Sequence, residues 1–224
     1  MKMTQRNDIP THKYTSFLFD MDGTLVDTKE LIYQCFVYTV KEFHGQDVGR
    51  ELVISHIGLP LKAQLEMFLG EMTDIEFEEV YRLYNNYQLE IIPDYLIVFP
   101  YVYTTLDALK QRGKKLAVVT SRKRKSLDVF LKVKRLASYF DVLITPESTE
   151  RHKPHPDPVF KALAMLNTDT KHALFIGDSV YDVESGKAAG VDTALLTWSQ
   201  NNVSHFYPQP TYRLKSLRDL VSDC

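Results

Sequence analysis

The sequence predicts an α/β protein with a mostly parallel sheet between helical layers and a small helical domain inserted into it. Three observations support this prediction. Short apolar runs end in acids or hydroxyls at Phe17–Asp20, Leu116–Ser121, Asp141–Thr145 and Ala173–Asp178. Helical patterns separate these runs, as when parallel strands are joined by crossovers. Between about Asp27 and Ile97 the apolar spacing is helical, with no evident strand.

Composition narrows the function class. The 224 residues suffice for a substantial core and a small second domain. At 44% hydrophobic and 25% charged, the chain reads as globular and soluble. A formal net charge of -2 gives no basis for a nucleic-acid or anionic-membrane partner. No apolar run reaches membrane-spanning length, and Met1–Tyr14 lacks a signal-peptide core. A cytoplasmic location is expected, with Cys35 and Cys224 reduced and the first dozen residues a frayed leader.

The elements follow in order. Phe17–Phe19 suits a buried strand, placing Asp20 at its C-terminal edge, where open α/β sheets carry their chemistry. Asp22 follows two residues later, and Gly23 permits a tight turn. Two such carboxylates need compensation, which a hard cation such as magnesium supplies. The other reading makes these acids caps of the next element.

Leu31, Ile32, Cys35, Phe36, Tyr38, Thr39 and Phe43 trace a helix from about Lys29 to His44, ended by Gly45. A second helix is expected over Leu61–Leu69. A third opens at Thr73, where Thr73-Asp74-Ile75-Glu76 reads as a capping box. The expected division is a core of residues 1–26 and 98–224 with a helical insert of 27–97, hinged at the two crossings. Gly58 and Pro60 imply a constrained loop after His56. That histidine either contacts a substrate or is satisfied locally.

Tyr101–Gln111 reads as a helix closed by Gly113, and Lys115–Ser121 as a strand ending in hydroxyls. Thr120 can donate to a phosphoryl oxygen, or Thr120 or Ser121 can cap the next helix, expected from about Lys123 to Leu136. Arg122 could reach a substrate carboxylate or second phosphate. The basic run Arg122–Lys125 has no interleaved aromatics to suggest nucleic acid. After the Asp141–Thr145 strand, three prolines restrain residues 150–158 and delay the next helix to Val159. A lysine there, Lys153, could neutralise a transferring phosphoryl group. Asp178 ends the next strand, with Asp182 one helical turn later. Val191–Thr197 supplies another strand, and a last strand and short helix near Tyr212–Leu220 close the core.

These motifs resemble those of the haloacid dehalogenase superfamily. Asp20-Met21-Asp22-Gly23-Thr24-Leu25 is similar to its first motif, Thr120 to its second, Lys153-Pro154 to its third, and Gly177-Asp178-Ser179-x-x-Asp182 to its fourth. The resemblance runs from Phe17 onward. It implies a Rossmann-like three-layer core with 27–97 as a cap over the site. It also implies Asp20 as nucleophile, Asp22 as general acid and base, and Thr120 and Lys153 on the phosphoryl oxygens. Mg2+ would be bound by Asp20, the Asp22 carbonyl, Asp178 and, directly or through water, Asp182. Substrate contacts are expected at Met21, Ser121, Arg122 and His56. Arg122 stands where related phosphatases often have lysine or asparagine.

Lys153-Pro154-x-Pro156-Asp157-Pro158, Trp198-Ser199 and the Ile57–Leu61 loop resemble the phosphoglycolate phosphatase and pyrophosphatase branch. The implied activity is hydrolysis of a small phosphorylated metabolite, phosphoglycolate first and pyrophosphate next, by a monomer or homodimer. Two other readings stay open: a β-phosphoglucomutase-like phosphosugar mutase, and a catalytically silent binding or regulatory protein on the same fold. Intact Asp20, Asp22, Thr120, Lys153 and Asp178 weigh against the latter.

Overall fold

The computed structural model describes residues 9–57, 61–198 and 207–221. The chain divides into two compact units at Val26/Asp27 and Ile97/Val98. In chain order the elements are β1 (Ser16–Phe19), β2 (Val26–Asp27), α1 (Lys29–His44), α2 (Arg50–Ser55), α3 (Leu61–Leu69), α4 (Asp74–Tyr95), β3 (Ile97–Val98) and α5 (Val102–Gln111). There follow β4 (Lys115–Val119), α6 (Arg124–Val133), β5 (Val142–Ile144), α7 (Asp157–Leu166), β6 (Ala173–Gly177), α8 (Val180–Ala188), β7 (Asp192–Leu196) and β8 (Tyr212–Leu214). β2 and β3, at the two crossings, pair as a two-stranded ribbon.

The larger unit is built on a six-stranded sheet in the order β5-β4-β1-β6-β7-β8. All its pairings are parallel. A parallel sheet covered on both faces is buried throughout, so its strands read as continuous apolar runs. Alternate residues still divide between the faces. Leu18, Ala117, Val119, Val142 and Ile144 meet Val159, Ala162, Leu163 and Leu166 of α7 in one cluster. The α7 positions follow the i, i+3, i+4, i+7 spacing of a helix face.

The smaller unit is helical. Phe36 of α1 lies edge-on to Phe68 and Tyr84, each at 5.6 Å, while Tyr38 stacks on Tyr87 at 3.9 Å. Thr73 and Glu76 form the reciprocal cap of α4. The insert has one helix more than expected, α2. With six residues, it offers too short a run for periodicity to reveal.

Other boundaries also move. Strand β4 ends at Val119, leaving Thr120 and Ser121 beyond it. Helix α6 ends at Val133, because Arg135 takes a left-handed φ of 51° and turns Leu136 inward to full burial. Helix α7 starts at Asp157 rather than Val159, since Pro158 occupies the first turn, where a missing N–H costs no hydrogen bond. The expected Gly58–Pro60 loop, and Ser199 and Cys224, lie outside the described residues; Cys35 is buried. Among the described residues no helix is long and apolar enough to cross a membrane.

The expectation of a frayed leader fails from Ile9 onward. Ile9 is buried, and Thr11–Lys13 forms a 3-10 turn. Asp192 at the start of β7 accepts from Lys13 Nζ at 2.7 Å, Tyr14 Oη at 2.8 Å and Thr211 Oγ1 at 3.2 Å. Tyr14 and Tyr212 hydroxyls lie 3.0 Å apart. Burial pushes the Tyr14 hydroxyl pKa up, and its bonds to Tyr212 and Asp192 push it further. This network joins the N-terminal segment to β7 and β8 through partners some 180 residues away, which no local pattern announces. Asp192→Ala is expected to cost roughly 1–3 kcal/mol of stability by removing the acceptor shared by Lys13, Tyr14 and Thr211. Lys13→Ala, at the exposed end of the same network, should cost under about 1 kcal/mol. Denaturant unfolding of both variants checks the contrast, and equally small losses would remove the network's structural role.

Candidate active site

β1 lies between β4 and β6, so chain order reverses beside it, the point at which open α/β sheets carry their ligand sites. The register places Phe19 opposite Val118 on one side and Ile176 on the other. Asp20 therefore emerges from β1 at the level where β4 leads into Thr120 and β6 into Asp178. The Asp20 N–H donates to the Ile176 carbonyl at 2.9 Å, and the Thr120 N–H to that of Ile144 at 3.1 Å. Lys153 enters from the irregular segment between β5 and α7.

The Lys153 ammonium donates to Asp20 Oδ1 and Asp182 Oδ1, both at 2.7 Å. Its side chain is only 6% exposed. Oxygens of Asp20, Asp178 and Asp182 gather within 4.8 Å of one another. Asp182 is buried and also closes the reciprocal cap of α8, its Oδ2 accepting from Ser179 N–H at 3.1 Å and Ser179 Oγ at 2.6 Å. Two glycines make this crowding possible. A β-carbon at Gly23 would overlap the Asp178 carboxyl, and one at Gly177 would overlap Asp182. Gly23 also sits at φ 79°, a conformation that favours glycine. The Trp198 indole N–H donates to the Gly23 carbonyl at 2.8 Å, and Phe99 stacks on that indole at 4.7 Å.

Asp22 faces Arg122. Arg122 Nε donates to Asp22 Oδ2 at 2.9 Å, and a terminal nitrogen donates to Oδ1 at 2.5 Å. The other terminal nitrogen donates to Ser126 Oγ at 2.7 Å, and the guanidinium lies 3.8 Å from the centre of the Phe130 ring. The Arg122 backbone N–H donates to Thr120 Oγ1 at 3.1 Å, leaving that hydroxyl's own hydrogen for another acceptor.

The remaining substrate-contact candidates fare differently. Arg122 is directed to Asp22, because a guanidinium fork matches a nearby carboxylate in two-point geometry. The Met21 side chain is fully buried. Ser121 lies exposed just past Thr120. In the helical unit, His56 Nδ1 lies 2.7 Å from the Leu52 carbonyl of its own helix and is satisfied locally. Sequence reasoning missed the Arg122–Asp22 pair and the Trp198 bond to Gly23. Both are long-range and carry no local signal. The Ser179–Asp182 cap did have one, the Ser-x-x-acid spacing.

Burial pushes the Asp20 pKa up to about 7, the pull of Lys153 being outweighed with help from Asp182 and Asp22. Burial and the neighbouring acids Asp182 and Asp20 also raise Asp178. For Lys153, burial alone would lower the pKa, but Asp182 and Asp20 raise it on balance. An all-oxygen cluster that resists ionisation fits a hard divalent cation. The folded cluster holds protons that unfolded carboxyls release near 3.8. Its contribution to stability is therefore full below that value and fades as pH rises through about 7. Lys153 begins to lose its proton only above 10.5, outside this window. Metal-free protein should thus melt higher near about pH 5.5 than about pH 7.5, and magnesium should raise the melting temperature more at the higher pH. Asp178→Asn should shrink both effects in thermal scans; unchanged effects would locate the cation elsewhere.

Comparison with known proteins gives the family to which this fold belongs. The haloacid dehalogenase-like hydrolase family model matches residues 17–196. A Caldanaerobacter subterraneus subsp. tengcongensis relative, provisionally named pyrophosphatase PpaX, is 42% identical over 84% of this chain and 83% of its own. Pyrophosphatase PpaX of Anoxybacillus flavithermus is 35% identical over 92% of this chain and 95% of its own. Among solved structures, a phosphoglycolate phosphatase predicted in Haemophilus somnus superposes with a TM-score of 0.85 at 25% identity, covering 93% of this chain and 97% of that one. With the family model covering most of its length, and relatives of 35–42% identity matching over most of theirs, the chain belongs to the haloacid dehalogenase-like hydrolase family.

Proposed function

We propose that this hydrolase is a magnesium-dependent phosphatase of small phosphorylated metabolites, working through an aspartyl-phosphate on Asp20. The observation that best supports this is the buried Lys153 ammonium, 2.7 Å from Asp20 and from Asp182, beside Asp178. An anionic nucleophile and an anionic phosphoryl group repel each other, and a fixed cation between them reduces that repulsion.

Asp20 attacks phosphorus, a bond forms from its carboxylate oxygen, and the bond to the leaving oxygen breaks. Asp22 delivers a proton to that oxygen. Asp22 then takes a proton from water, which attacks the phosphorus of the aspartyl-phosphate, releasing inorganic phosphate and restoring Asp20. The Thr120 hydroxyl, its oxygen already accepting from Arg122 N–H, donates to a phosphoryl oxygen. Magnesium would be held by Asp20, Asp178, the Asp22 carbonyl and, directly or through water, Asp182, and would supply further positive charge at the phosphoryl group. In this reading residues 27–97 serve as a cap that excludes water and reads the leaving group.

In this reading pyrophosphate is the favoured substrate and phosphoglycolate the second. Phosphoglycolate and pyrophosphate both carry a second anionic end, which the sequence reading gave to Arg122, so that cation does not separate them. Arg122 engages Asp22, and Arg124 engages Asp128 at 2.8 Å. The curated relatives named pyrophosphatases support the anhydride. At saturating magnesium, kcat/KM should be highest for pyrophosphate in a panel with phosphoglycolate, hexose phosphates and nucleoside monophosphates. Preference for a hexose phosphate with isomerisation and no phosphate release would favour the mutase reading. Asp20→Asn should keep the fold and lose turnover by at least about 10³-fold, because an amide does not form the acyl phosphate. Near-normal single-turnover phosphate release by that variant would remove Asp20 as nucleophile.

A further inference from the structure

We propose that Arg122 is the positioning residue that holds the Asp22 carboxylate in the orientation its proton transfers need. This inference rests on the reading of Asp22 as the acid and base of the phosphatase reaction.

Asp22 belongs to the turn after β1, and its side chain is 29% exposed. A carboxylate so placed is free to rotate about two side-chain bonds. Arg122 meets both of its oxygens, and a two-point contact defines the carboxylate plane as well as its location. The guanidinium is itself anchored. Ser126 accepts from its far nitrogen, the Phe130 ring supports its face, and its side chain is only 12% exposed. Phe130 is wholly buried, so the platform belongs to the core. Asp22, on the β1 turn, is thereby tied to the junction of β4 and α6.

The same residue reaches the phosphoryl-binding side of the site. Its backbone N–H donates to Thr120 Oγ1, which orients that hydroxyl. One residue therefore sets both the hydroxyl that meets the phosphoryl group and the carboxylate that meets the leaving oxygen. Each Asp22 oxygen keeps lone-pair capacity for a second partner while Arg122 occupies the first. Lysine, a point charge on a flexible stem, does not define a carboxylate plane, so the two residues are not equivalent here.

The test compares Arg122→Met, Arg122→Lys and Asp22→Asn with the unaltered enzyme at saturating magnesium. Rapid-quench single turnovers measure aspartyl-phosphate formation from p-nitrophenyl phosphate, which needs little leaving-group protonation, and from ethyl phosphate, which needs much. Decay of the intermediate is followed separately, and thermal melts check that each variant folds. Asp22→Asn should slow formation from ethyl phosphate by about 10²-fold or more and formation from p-nitrophenyl phosphate far less. Both Arg122 variants should reproduce that gap at about tenfold, slow decay of the intermediate, and leave KM within about twofold. Arg122→Lys keeps the charge and serves if Arg122→Met does not fold. An equal loss with both substrates and a raised KM would make Arg122 a substrate-binding residue and overturn the proposal. No change in either step would overturn it too, leaving the pair structural only. A leaving-group gap in Asp22→Asn but not in the Arg122 variants defeats the positioning role alone. Absence of the gap in Asp22→Asn defeats the acid–base reading beneath it.

Discussion

The Lys153 ammonium between Asp20 and Asp182 is the interaction on which the rest of the site depends. Two carboxylates at adjoining strand ends, Asp20 and Asp178, and a third in the first turn of α8, Asp182, repel one another and lose hydration as the sheet is covered. An isolated buried charge is costly, whereas a paired and hydrogen-bonded one is tolerable. Lys153 offsets part of this cost, and Ser179 offsets another part by donating twice to Asp182. Gly23 and Gly177 allow the carboxylates to approach where any β-carbon would overlap them. What remains uncompensated appears as raised carboxyl pKa values at Asp20 and Asp178, the signature of a cluster suited to a further cation.

Around that centre, the turn after β1 is held from two sides. Arg122 reaches it from the β4–α6 junction and Trp198 from the segment after β7. The indole that donates to Gly23 also stacks on Phe99, whose backbone N–H donates to the Leu25 carbonyl. The turn bearing Asp22 is thus bounded by contacts to both neighbouring portions of the sheet. A parallel sheet suits such an arrangement, because all its strands deliver their C-terminal ends to one edge. At the other end of the sheet, the Asp192 network secures the N-terminal segment and β8 with polar contacts.

Much of this was legible in the sequence. Residues Phe17–Phe19 and Ala173–Gly177 form buried parallel strands, and buried parallel strands announce themselves as unbroken apolar runs. Helices α1 and α3 occupy the residues expected of them, and Thr73 caps α4 through Glu76. Periodicity and capping are local, with interactions that span three or four residues. Asp20, Thr120, Lys153 and Asp178 were legible for another reason: each sits beside an element end or proline-restrained segment with its own pattern. The short helix α2 lacked the length for such a pattern.

By itself, the sequence determined the alternation of strand and helix, the helical insert, and the motifs that bring acids and a lysine to one sheet edge. Tertiary structure alone decided what those side chains hold. The fork of Arg122 meets Asp22, 100 positions away. Lys153 reached back 133 positions to Asp20, and Asp192 drew in Lys13 and Tyr14. Met21 stands between two site acids in the chain, yet it turns wholly into the core. Neighbours along the chain set backbone conformation through steric and local hydrogen-bond terms that a sequence displays. Partners of a charged side chain are set by which distant groups the packed sheet brings within about 3 Å, and that distance exists only in the folded molecule.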